Sequence, residues 1–363
     1  MVLFIIVYGI MLSILVLGGG AIHGKKAMKP SGSFIDLQAL TVIIPFRNEA
    51  MHLPPLIACF QQAQATPKEV IFVNDHSEDD GMALLSAQQF PFPCRMVELP
   101  EDQSGKKAAL QMGLLHAQTT WILTMDADVS FAPDYFNALE RLPAADFWIL
   151  PVVLVSKKAK DTWQEVDVLC MHAVNTGLFG FIRPVLCSGA NLLMNREVYV
   201  QVHDWEQHKH ISSGDDLFSL RAFRKAGRDI RLLADARVAV FTPSTEGIRS
   251  FFQQRLRWIS KTRKVQDPLA NLLGIIQGLL ATVFLGGLLI LLCQQEYHQF
   301  WILLGLKSLV DWAVFAPYCF RFNRWGAGLL IPLIQWFSPL YFFSLLVCMP
   351  FITPQWKGRK VNA

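Results

Sequence analysis

Two carboxylates separated by a single residue, Asp126 and Asp128, directly follow a short apolar run at 121–125. Such a run is typical of a buried parallel strand, and ligand groups gather at the carboxyl ends of strands of this kind. Two carboxylates at that edge can hold a hard divalent cation, which can in turn neutralise a diphosphate. A solvated turn after a strand has the same pattern, so the pair alone leaves both interpretations open.

Further polar groups follow predicted strands or begin predicted helices. They are Pro45-Phe-Arg-Asn-Glu49, Val73-Asn-Asp75, Gly105-Lys-Lys107 and Gly214-Asp-Asp216. At Gly105 the amides of a helix start and two lysine charges favour a phosphate, although such starts are usually just solvated. Asp75 alone is more often a cap or turn residue than a ligand. Each group by itself is therefore a weak indication of a site.

A predicted helix over residues 247–264 carries a different signal. Gln254, Arg257 and Trp258 are spaced i, i+3 and i+4, which places them on one face of the helix. The basic residues of this helix are Arg249, Arg255, Arg257, Lys261, Arg263 and Lys264. Basic residues around an apolar stripe are typical of a helix that lies in a membrane interface. Taken alone, an Arg beside a Trp on such a helix is equally well explained as a membrane anchor.

Short apolar runs alternate with amphipathic stretches from residue 40 onward, and this pattern predicts the elements that position the polar groups. Strands are predicted at 41–45, 69–73, 95–99 and 121–125, and helices at 49–64, 80–89 and 106–117. Farther along, we predict helices at 134–141, 163–181 and 212–224, strands at 147–155, 229–233 and 237–241, and a small-residue loop from Cys187 that enters a strand. Such alternation gives an α/β fold with a parallel sheet and right-handed crossovers.

The two ends of the chain have the composition of a membrane protein. Of the 363 residues 52% are hydrophobic and 17% charged, and the mean hydropathy of +0.32 is too high for an ordinary soluble domain. Residues 1–20 carry no charge and basic residues follow them, which predicts a retained anchor with residues from Lys25 onward in the cytoplasm. Three more apolar spans are predicted at 269–293, 299–320 and 327–350, and the topology of residues 327–363 stays open.

These observations predict a chain of successive domains. They are a transmembrane anchor at 1–22, an α/β domain at 38–246, an interfacial helix at 247–266, a transmembrane region at 267–352 and a basic tail at 353–363. Lys307 and Asp311 are spaced i, i+4 inside an apolar span, where ionisable residues are functional candidates by default. A structural ion pair that fixes helix packing explains the two residues equally well.

The charge and cysteine patterns argue against several classes of protein. The net charge of +4 is mild, and the basic residues cluster beside apolar segments rather than in an aromatic-interleaved patch, which argues against nucleic-acid binding. The seven cysteines form no C-x-x-C pair, which suits a reducing compartment and argues against a zinc site or a disulfide framework. A dehydrogenase is disfavoured because no G-x-G-x-x-G follows the first strand.

Five motifs, in their order along the chain, resemble those of the membrane-bound family 2 glycosyltransferases. They are Pro-x-x-Asn-Glu, the strand-end Asp, Asp-x-Asp, Gly-Asp-Asp and Gln-x-x-Arg-Trp. This family includes the cellulose, chitin and hyaluronan synthases and the ceramide glucosyltransferases. The resemblance covers about residues 40–260 and extends to the flanking membrane segments. It implies a GT-A fold, Rossmann-like with a mostly parallel sheet, in an integral membrane protein of the bacterial inner membrane whose catalytic domain is cytoplasmic.

The resemblance also implies a role for each motif residue. The nucleotide sugar, a UDP-sugar, would be bound by Pro45, Asn48, Glu49, Asp75, Lys106, Lys107, Asp126 and Asp128. Asp75 would face the uracil, and Asp128, with Asp126 nearby, would hold Mg²⁺ or Mn²⁺. Asp216, with Asp215 beside it, would be the general base at the acceptor hydroxyl. The acceptor and the diphosphate would be contacted by Ser188, Gly189, Asn191, Gln254, Arg257 and Trp258.

Together these roles describe a metal-dependent, inverting hexosyltransferase. Displacement at an anomeric carbon needs an activated acceptor and a stabilised leaving diphosphate, and no second carboxylate is obviously placed as a nucleophile. The small membrane region favours a lipid or lipid-linked acceptor. A processive polysaccharide synthase is the alternative within the same chemistry. A transporter or scaffold with a nucleotide-sensing α/β domain is the alternative outside it.

Overall fold

The computed structural model describes residues 33–203, 205, 214–348, 355–356 and 359–360, together with residues 8, 9, 12 and 16. The anchor predicted at 1–22 and the basic tail predicted at 353–363 otherwise lie outside the described residues. The chain divides into two compact units. The sheet unit comprises residues 25–153 and 184–243, and the helical unit comprises residues 1–24, 154–183 and 244–363.

The strands form one large sheet and two small ones. In chain order they are β1 Leu40–Phe46, β2 Glu69–Asn74, β3 Cys94–Glu98, β4 Trp121–Met125, β5 Ser130–Phe131, β6 Phe147–Ile149, β7 Val152–Val155, β8 Asn191–Asn195, β9 Ile230–Leu232, β10 Val240–Pro243, β11 Gln355–Trp356 and β12 Arg359–Lys360. The large sheet has the order β3-β2-β1-β4-β8-β6-β9, and the small ones are β5-β10-β7 and β11-β12.

The large sheet is mostly parallel, as predicted. Its strands β3, β2, β1 and β4 run parallel to their neighbours, and β6 runs parallel to β9. Only β8 interrupts this arrangement, because it pairs antiparallel with both β4 and β6. Since β1, β2 and β4 are parallel and adjacent, the polar groups that follow them emerge at one edge of the sheet.

Helices cover both faces of the large sheet. In chain order the helices are α1 Leu53–Gln62, α2 Gly81–Ser86, α3 Lys106–His116, α4 Tyr135–Glu140, α5 Trp163–Phe179, α6 Arg196–Val202, α7 Asp215–Lys225, α8 Gly247–Val265, α9 Pro268–Cys293, α10 Tyr297–Arg321 and α11 Trp325–Cys348. On one face Leu110 of α3 packs in a cluster with Ile43 and Ile71. On the other, Phe60 of α1 packs in a cluster with Phe72. Because both faces are covered, the central strands β1, β2 and β4 are mainly apolar and buried.

Three predicted elements differ from the structure, each for a local reason. The run predicted as one strand at 147–155 is broken before Pro151, which lacks an amide donor, and its halves join different sheets. The strand predicted at 237–241 begins only at Val240, because Asp235 caps a short 3₁₀ turn before it. The helix predicted from residue 49 begins at Leu53, and prolines occupy its first turn.

The helical unit contains three helices, among the described residues, that are long and apolar enough to cross a membrane. They are α9, α10 and α11, and they match the spans predicted at 269–293, 299–320 and 327–350 to about two residues at each end. α11 continues through Pro332 and Pro339 without a break. Residues 154–183, predicted within the α/β domain at 38–246, group with this unit, because α5 packs against α10 and α11.

The charged residues predicted inside an apolar span form a pair in the structure. Lys307 Nζ lies 2.5 Å from Asp311 Oδ2 and 3.3 Å from Gln335 Oε1 of α11. The Asp311 side chain is entirely buried. A buried charge is tolerated when it is paired and hydrogen-bonded, and both conditions are met by this pair.

Candidate active site

Asp126 and Asp128 lie just beyond β4, where the chain leaves the sheet. Asp126 is ion-paired with the ammonium group of Lys106, the first residue of α3. Asp128 Oδ2 lies 3.4 Å from the hydroxyl of Thr242, which donates to it. Desolvation raises the pKa of the Asp128 carboxyl to about 6, and the neighbouring charges of Asp126 and Glu49 add to the increase. The two acids therefore differ, since Asp126 pairs directly with Lys106, whereas the carboxylates near Asp128 raise its pKa more than the nearby cations lower it.

The surroundings of Asp128 fit a divalent cation. The carboxylates of Asp126 and Glu49 raise the pKa of Asp128 more than the cationic groups of Lys106 and His52 lower it, and a bound cation would reduce this repulsion. Oxygen ligands of this kind suit Mg²⁺ and Mn²⁺. Within the part of the chain that the structure describes, no group of three or more His, Cys, Asp or Glu residues could hold a metal ion. Asp126 and Asp128 are the carboxylates that would hold the ion, which would supply positive charge beside a bound phosphate.

Glu49 has a partner that sequence reasoning missed. His52 Nδ1 lies 2.7 Å from Glu49 Oε2, three residues back along the chain. Both residues interact electrostatically with Asp128, Glu49 unfavourably and His52 favourably when it is protonated. Sequence reasoning placed Glu49 in one site with Asp128 but assigned no role to His52, although the i, i+3 spacing of Glu49 and His52 was visible.

Arg47 joins the loops that follow β1 and β2, and sequence reasoning assigned it no role. Its Nη1 donates to the carbonyl oxygens of Asp75 at 2.8 Å and His76 at 3.0 Å. Its Nη2 lies 3.2 Å from Glu78 Oε1. Asn48 strengthens the link, because its Oδ1 accepts from the Glu78 amide at 2.8 Å. These bonds fix the backbone around Asp75, whose side chain is almost fully buried at the end of β2.

The backbone of this region is held in an uncommon conformation. Asn48 has φ 51° and His76 has φ 53°, both in the left-handed region that non-glycine residues rarely occupy. Asn tolerates that region better than most residues, because its side chain can bond to nearby backbone. Pro45, by contrast, is an internal residue of β1 and pairs in register with Val73. The predicted Pro-x-x-Asn-Glu motif thus combines a buried strand residue with a constrained loop.

Asp215 and Asp216 are the first two residues of α7, after Gly214 with φ 95°. Carboxylates at this position are stabilised by the partial positive charge of a helix N-terminus. Asp216 is 7% exposed, and its Oδ2 accepts from the Gly189 amide at 3.3 Å. Its Oδ1 accepts from the Leu217 amide at 2.9 Å. The pair therefore has a fixed orientation, which is set by α7 and by the loop that precedes β8.

Gly189 lies against these acids because it has no side chain. A Cβ at this position would lie 3.2 Å from Asp215 Oδ2, closer than most such contacts, and 3.4 Å from Lys106 Nζ. The Gly189 carbonyl is also fixed, since it accepts from the Thr124 hydroxyl at 2.9 Å. The small-residue loop from Cys187 thus brings α3 and α7 together at the edge of the sheet.

Ser188 and Asn191, the other residues predicted in this loop, have different positions. The amide of Ala190 lies 3.5 Å from Ser188 Oγ, within the turn. Asn191 has no exposed surface, and its amide group donates to Pro151 O at 2.8 Å and Val238 O at 3.0 Å. Its Oδ1 accepts from the Tyr135 hydroxyl at 2.6 Å. The prediction that Asn191 contacts the acceptor is corrected, because these core bonds use its side chain.

The two adjacent lysines of α3 have opposite environments. Desolvation opposes the charge of Lys106, but Asp126, Asp215 and Asp216 outweigh it and hold the Lys106 pKa above its usual value. Lys106 thus connects the acid that follows β4 with the acids that begin α7. Lys107 is 3% exposed and its Nζ lies 4.8 Å from the Phe218 ring centroid. Desolvation lowers the pKa of Lys107 to about 8, with Asp215 opposing the change.

The predicted Gln254, Arg257 and Trp258 lie on α8, in the helical unit. The helix extends from Gly247 to Val265, close to its predicted bounds. Arg255, which the sequence analysis places with the basic residues around the apolar stripe, is only 4% exposed. It is ion-paired with Asp167 of α5, so this arginine is a protein contact rather than a membrane contact.

Two family models match the chain. The model described as glycosyl transferase family 2 matches residues 41–198, and the one described as glycosyl transferase family group 2 matches residues 121–356, about two thirds of the chain. The chain belongs to glycosyltransferase family 2. The predicted family is therefore confirmed, and the alternative of a transporter or scaffold is set aside.

Individual relatives match this glycosyltransferase over shorter segments. The undecaprenyl-phosphate 4-deoxy-4-formamido-L-arabinose transferase of Sodalis glossinidius is 28% identical over 134 residues, which cover 36% of this chain and 40% of the relative. A dolichyl-phosphate beta-glucosyltransferase of Trichomonas vaginalis is 32% identical over 110 residues, 28% of this chain and 32% of the relative. The 4,4'-diaponeurosporenoate glycosyltransferase of Staphylococcus aureus is 35% identical over 98 residues, 26% of this chain and 25% of the relative. The matched segments thus span less than half of each relative.

A solved structure extends the comparison to nearly the whole glycosyltransferase. The mannosyltransferase PcManGT from Pyrobaculum calidifontis, solved in complex with GDP-Man and Mn²⁺, has a TM-score of 0.54 and 18% sequence identity. The match covers 94% of this chain and 99% of that protein. At this identity the comparison establishes the fold alone. The predicted GT-A fold with C-terminal apolar helices is confirmed.

Proposed function

We propose that this family 2 glycosyltransferase transfers a sugar from a UDP-sugar to a lipid acceptor, with inversion at the anomeric carbon. The position of Lys106 is the observation that supports this proposal most strongly. Its ammonium group pairs with Asp126 and interacts favourably with Asp215 and Asp216. The acids proposed for the donor and those proposed for the acceptor therefore lie around one lysine.

On the donor side, Asp126 and Asp128 would hold Mg²⁺ or Mn²⁺. The metal, when bound, would neutralise charge on the leaving diphosphate. Lys106 begins α3, where backbone amides and its own charge favour a phosphate group. The loops fixed by Arg47 hold Asp75 and Asn48 at the neighbouring strand ends, where the nucleoside is proposed to bind.

On the acceptor side, Asp216 is the proposed general base. The amides of Gly189 and Leu217 orient its carboxylate, and Lys106 lies nearby. A base in this position takes the proton of the attacking hydroxyl as the bond to the sugar forms, and such catalysis contributes typically ~10²–10⁴-fold. The family resemblance assigns the diphosphate and the acceptor end to Gln254, Arg257 and Trp258.

The relatives and the apolar helices support a lipid acceptor. Two of the relatives are named for undecaprenyl phosphate and dolichyl phosphate, and three helices of this chain are apolar enough to span a membrane. A lipid hydroxyl requires a base, whereas a lipid phosphate with a second pKa near ~6 is largely ionised at neutral pH. The size of the effect of replacing Asp216 therefore distinguishes the two acceptor groups.

The experiment that tests the proposal is a lipid-labelling assay. Membranes containing the protein are incubated with a panel of radiolabelled UDP-sugars and GDP-mannose, and the lipids are extracted. We expect label from one UDP-sugar in the lipid fraction, and none with membranes that lack the protein. Label only from GDP-mannose would contradict the donor assignment. Label only in long polymer, seen on a sizing gel, would indicate a processive synthase instead.

A further inference from the structure

Polar side chains in the first turns of α5 contact other segments of the helical unit. Both polar atoms of the Gln164 side chain bond to Thr245, just before α8. Glu165 is fully buried and receives two hydrogen bonds from Arg324, at 2.6 and 2.7 Å. Two residues farther along, Asp167 pairs with the arginine at the centre of α8. A run of three polar side chains on one helix thus meets three separate segments.

The arginine that Asp167 meets is Arg255, inside the Gln-x-x-Arg-Trp motif. Arg255 Nε lies 2.5 Å from Asp167 Oδ2, and Nη1 lies 2.5 Å from Gln254 Oε1. The guanidinium carbon is 4.2 Å from the ring centroid of Trp258 and 4.2 Å from that of Phe251. One buried side chain therefore contacts the first and the last residue of the motif.

These contacts restrict the motif in ways that a lysine could not reproduce. A guanidinium group is planar, bonds in two directions at once and stacks on aromatic rings. The Arg255 guanidinium lies over the Trp258 ring and also bonds to Gln254, which limits the rotamers of both residues. Asp167 in turn compensates the buried charge of Arg255, and Tyr341 of α11 lies close enough to interact with both residues.

We infer that Asp167 and Arg255 are positioning residues, which hold Gln254 and Trp258 in the orientation needed for sugar transfer. The inference depends on the motif acting at the diphosphate and the acceptor, as proposed above. Asp167 lies about ninety positions before the motif and on a different helix, so its link to the reaction is made only through Arg255. Its replacement should slow transfer without removing a group that touches substrate.

A double-mutant cycle tests this link. Asp167→Asn alone is expected to lower kcat about 10-fold to 100-fold, the range that misplacement of a reactive group by ~1 Å produces. In a Trp258→Ala background, Asp167→Asn should lower kcat by much less, because the residue it acts through is already lost. Binding of UDP to Asp167→Asn, measured by calorimetry, should stay within about 3-fold of wild type. If the fold-loss of kcat in the double variant equals the product of the two single fold-losses, the residues act independently, and the inference is overturned.

Control variants separate the possible failures. Asp167→Glu keeps the charge and should restore most of the activity, and Arg249→Lys, at an exposed position on α8, should behave as wild type. If Asp167→Asn does not fold, as judged by its melting temperature in detergent, Arg255→Lys replaces it in the same cycle. Unchanged activity in Trp258→Ala would refute the role proposed for the motif. If Trp258→Ala loses activity but Asp167→Asn and Arg255→Lys keep full activity, the motif has its proposed role and the positioning role of Asp167 and Arg255 is refuted.

Discussion

Lys106 and Asp126 form an ion pair between the first residue of α3 and the first residue after β4. The pair lies at the edge of the sheet where β4 ends. At this edge β8 begins its antiparallel pairing with β4. Because Lys106 also interacts with Asp215 and Asp216, its charge balances acids from two elements. This arrangement makes Lys106 the cation on which the proposed site depends.

Replacing this lysine should disable the enzyme. Lys106→Met leaves Asp126 without its partner and removes a cation from the proposed diphosphate site, so kcat/KM should fall by ~10²-fold or more, the usual effect of losing one charge-stabilising donor. The measurement is initial-rate sugar transfer at several donor concentrations. Lys68→Met, at an exposed position, is the matched control and should retain full activity. Normal kinetics in Lys106→Met would remove Lys106 from the site.

Arg47 should affect nucleotide binding more than the chemical step. A lysine at this position cannot bond at once to the carbonyl oxygens of Asp75 and His76 and to Glu78. We expect Arg47→Lys to raise KM for the nucleotide sugar about 5-fold to 30-fold, the equivalent of one to two kcal/mol, with kcat nearly unchanged. The control is Arg95→Lys, because that side chain is half exposed and makes only a long ion pair at 3.7 Å with Glu69. An equal loss of kcat in Arg47→Lys would show that these loops act in the reaction itself.

The buried Lys107 predicts a dependence of stability on pH. Its pKa is about 8 in the folded protein, below the ordinary value, so the unfolded chain binds more protons above that pH. Lys107 therefore destabilises the fold below pH 8, and this effect diminishes as the pH rises toward 10. Lys107→Met should have a higher melting temperature in detergent than wild type at pH 7, with a smaller difference at pH 9.5. A difference that is constant or grows with pH would contradict this account.

Metal dependence can be tested without changing the chain. Excess chelator should abolish transfer, and either Mg²⁺ or Mn²⁺ should restore it, because a divalent ion is proposed to neutralise the leaving diphosphate. Asp128→Asn should raise the concentration of metal needed for half-maximal activity, since it removes a charged ligand. Undiminished transfer by the wild-type protein in chelator would mean that Lys106 alone serves the diphosphate.

The sequence predicted those parts of the site that are local. The run before Asp126 is apolar because β4 is buried on both faces, and acids at the end of such a strand are visible without a structure. Asp215 and Asp216 were placed at a helix start by the same reasoning. The apolar spans of the helical unit were also predicted closely, because length and composition define them.

The rest depended on contacts between segments that are distant in the chain. Asn191 bonds to Pro151 and Val238, and no local pattern shows that these carbonyl oxygens meet one side chain. Arg255 is one of several basic residues on α8, and its partner Asp167 lies on a different helix, so the sequence pattern did not reveal the pairing. The antiparallel β8 was equally hidden, since the run that enters it has no periodicity specific to direction. Tertiary packing decides such partners, and residue spacing alone does not.

The central claim is that Asp216 removes the proton of the acceptor hydroxyl, whereas other residues bind the donor. The most direct test is Asp216→Asn, with UDP-sugar binding and sugar transfer measured on the same preparation. The account predicts a dissociation constant within about 3-fold of wild type and transfer reduced by at least ~10²-fold for a hydroxyl acceptor. Retained turnover with a hydroxyl acceptor, at unchanged binding, would contradict it.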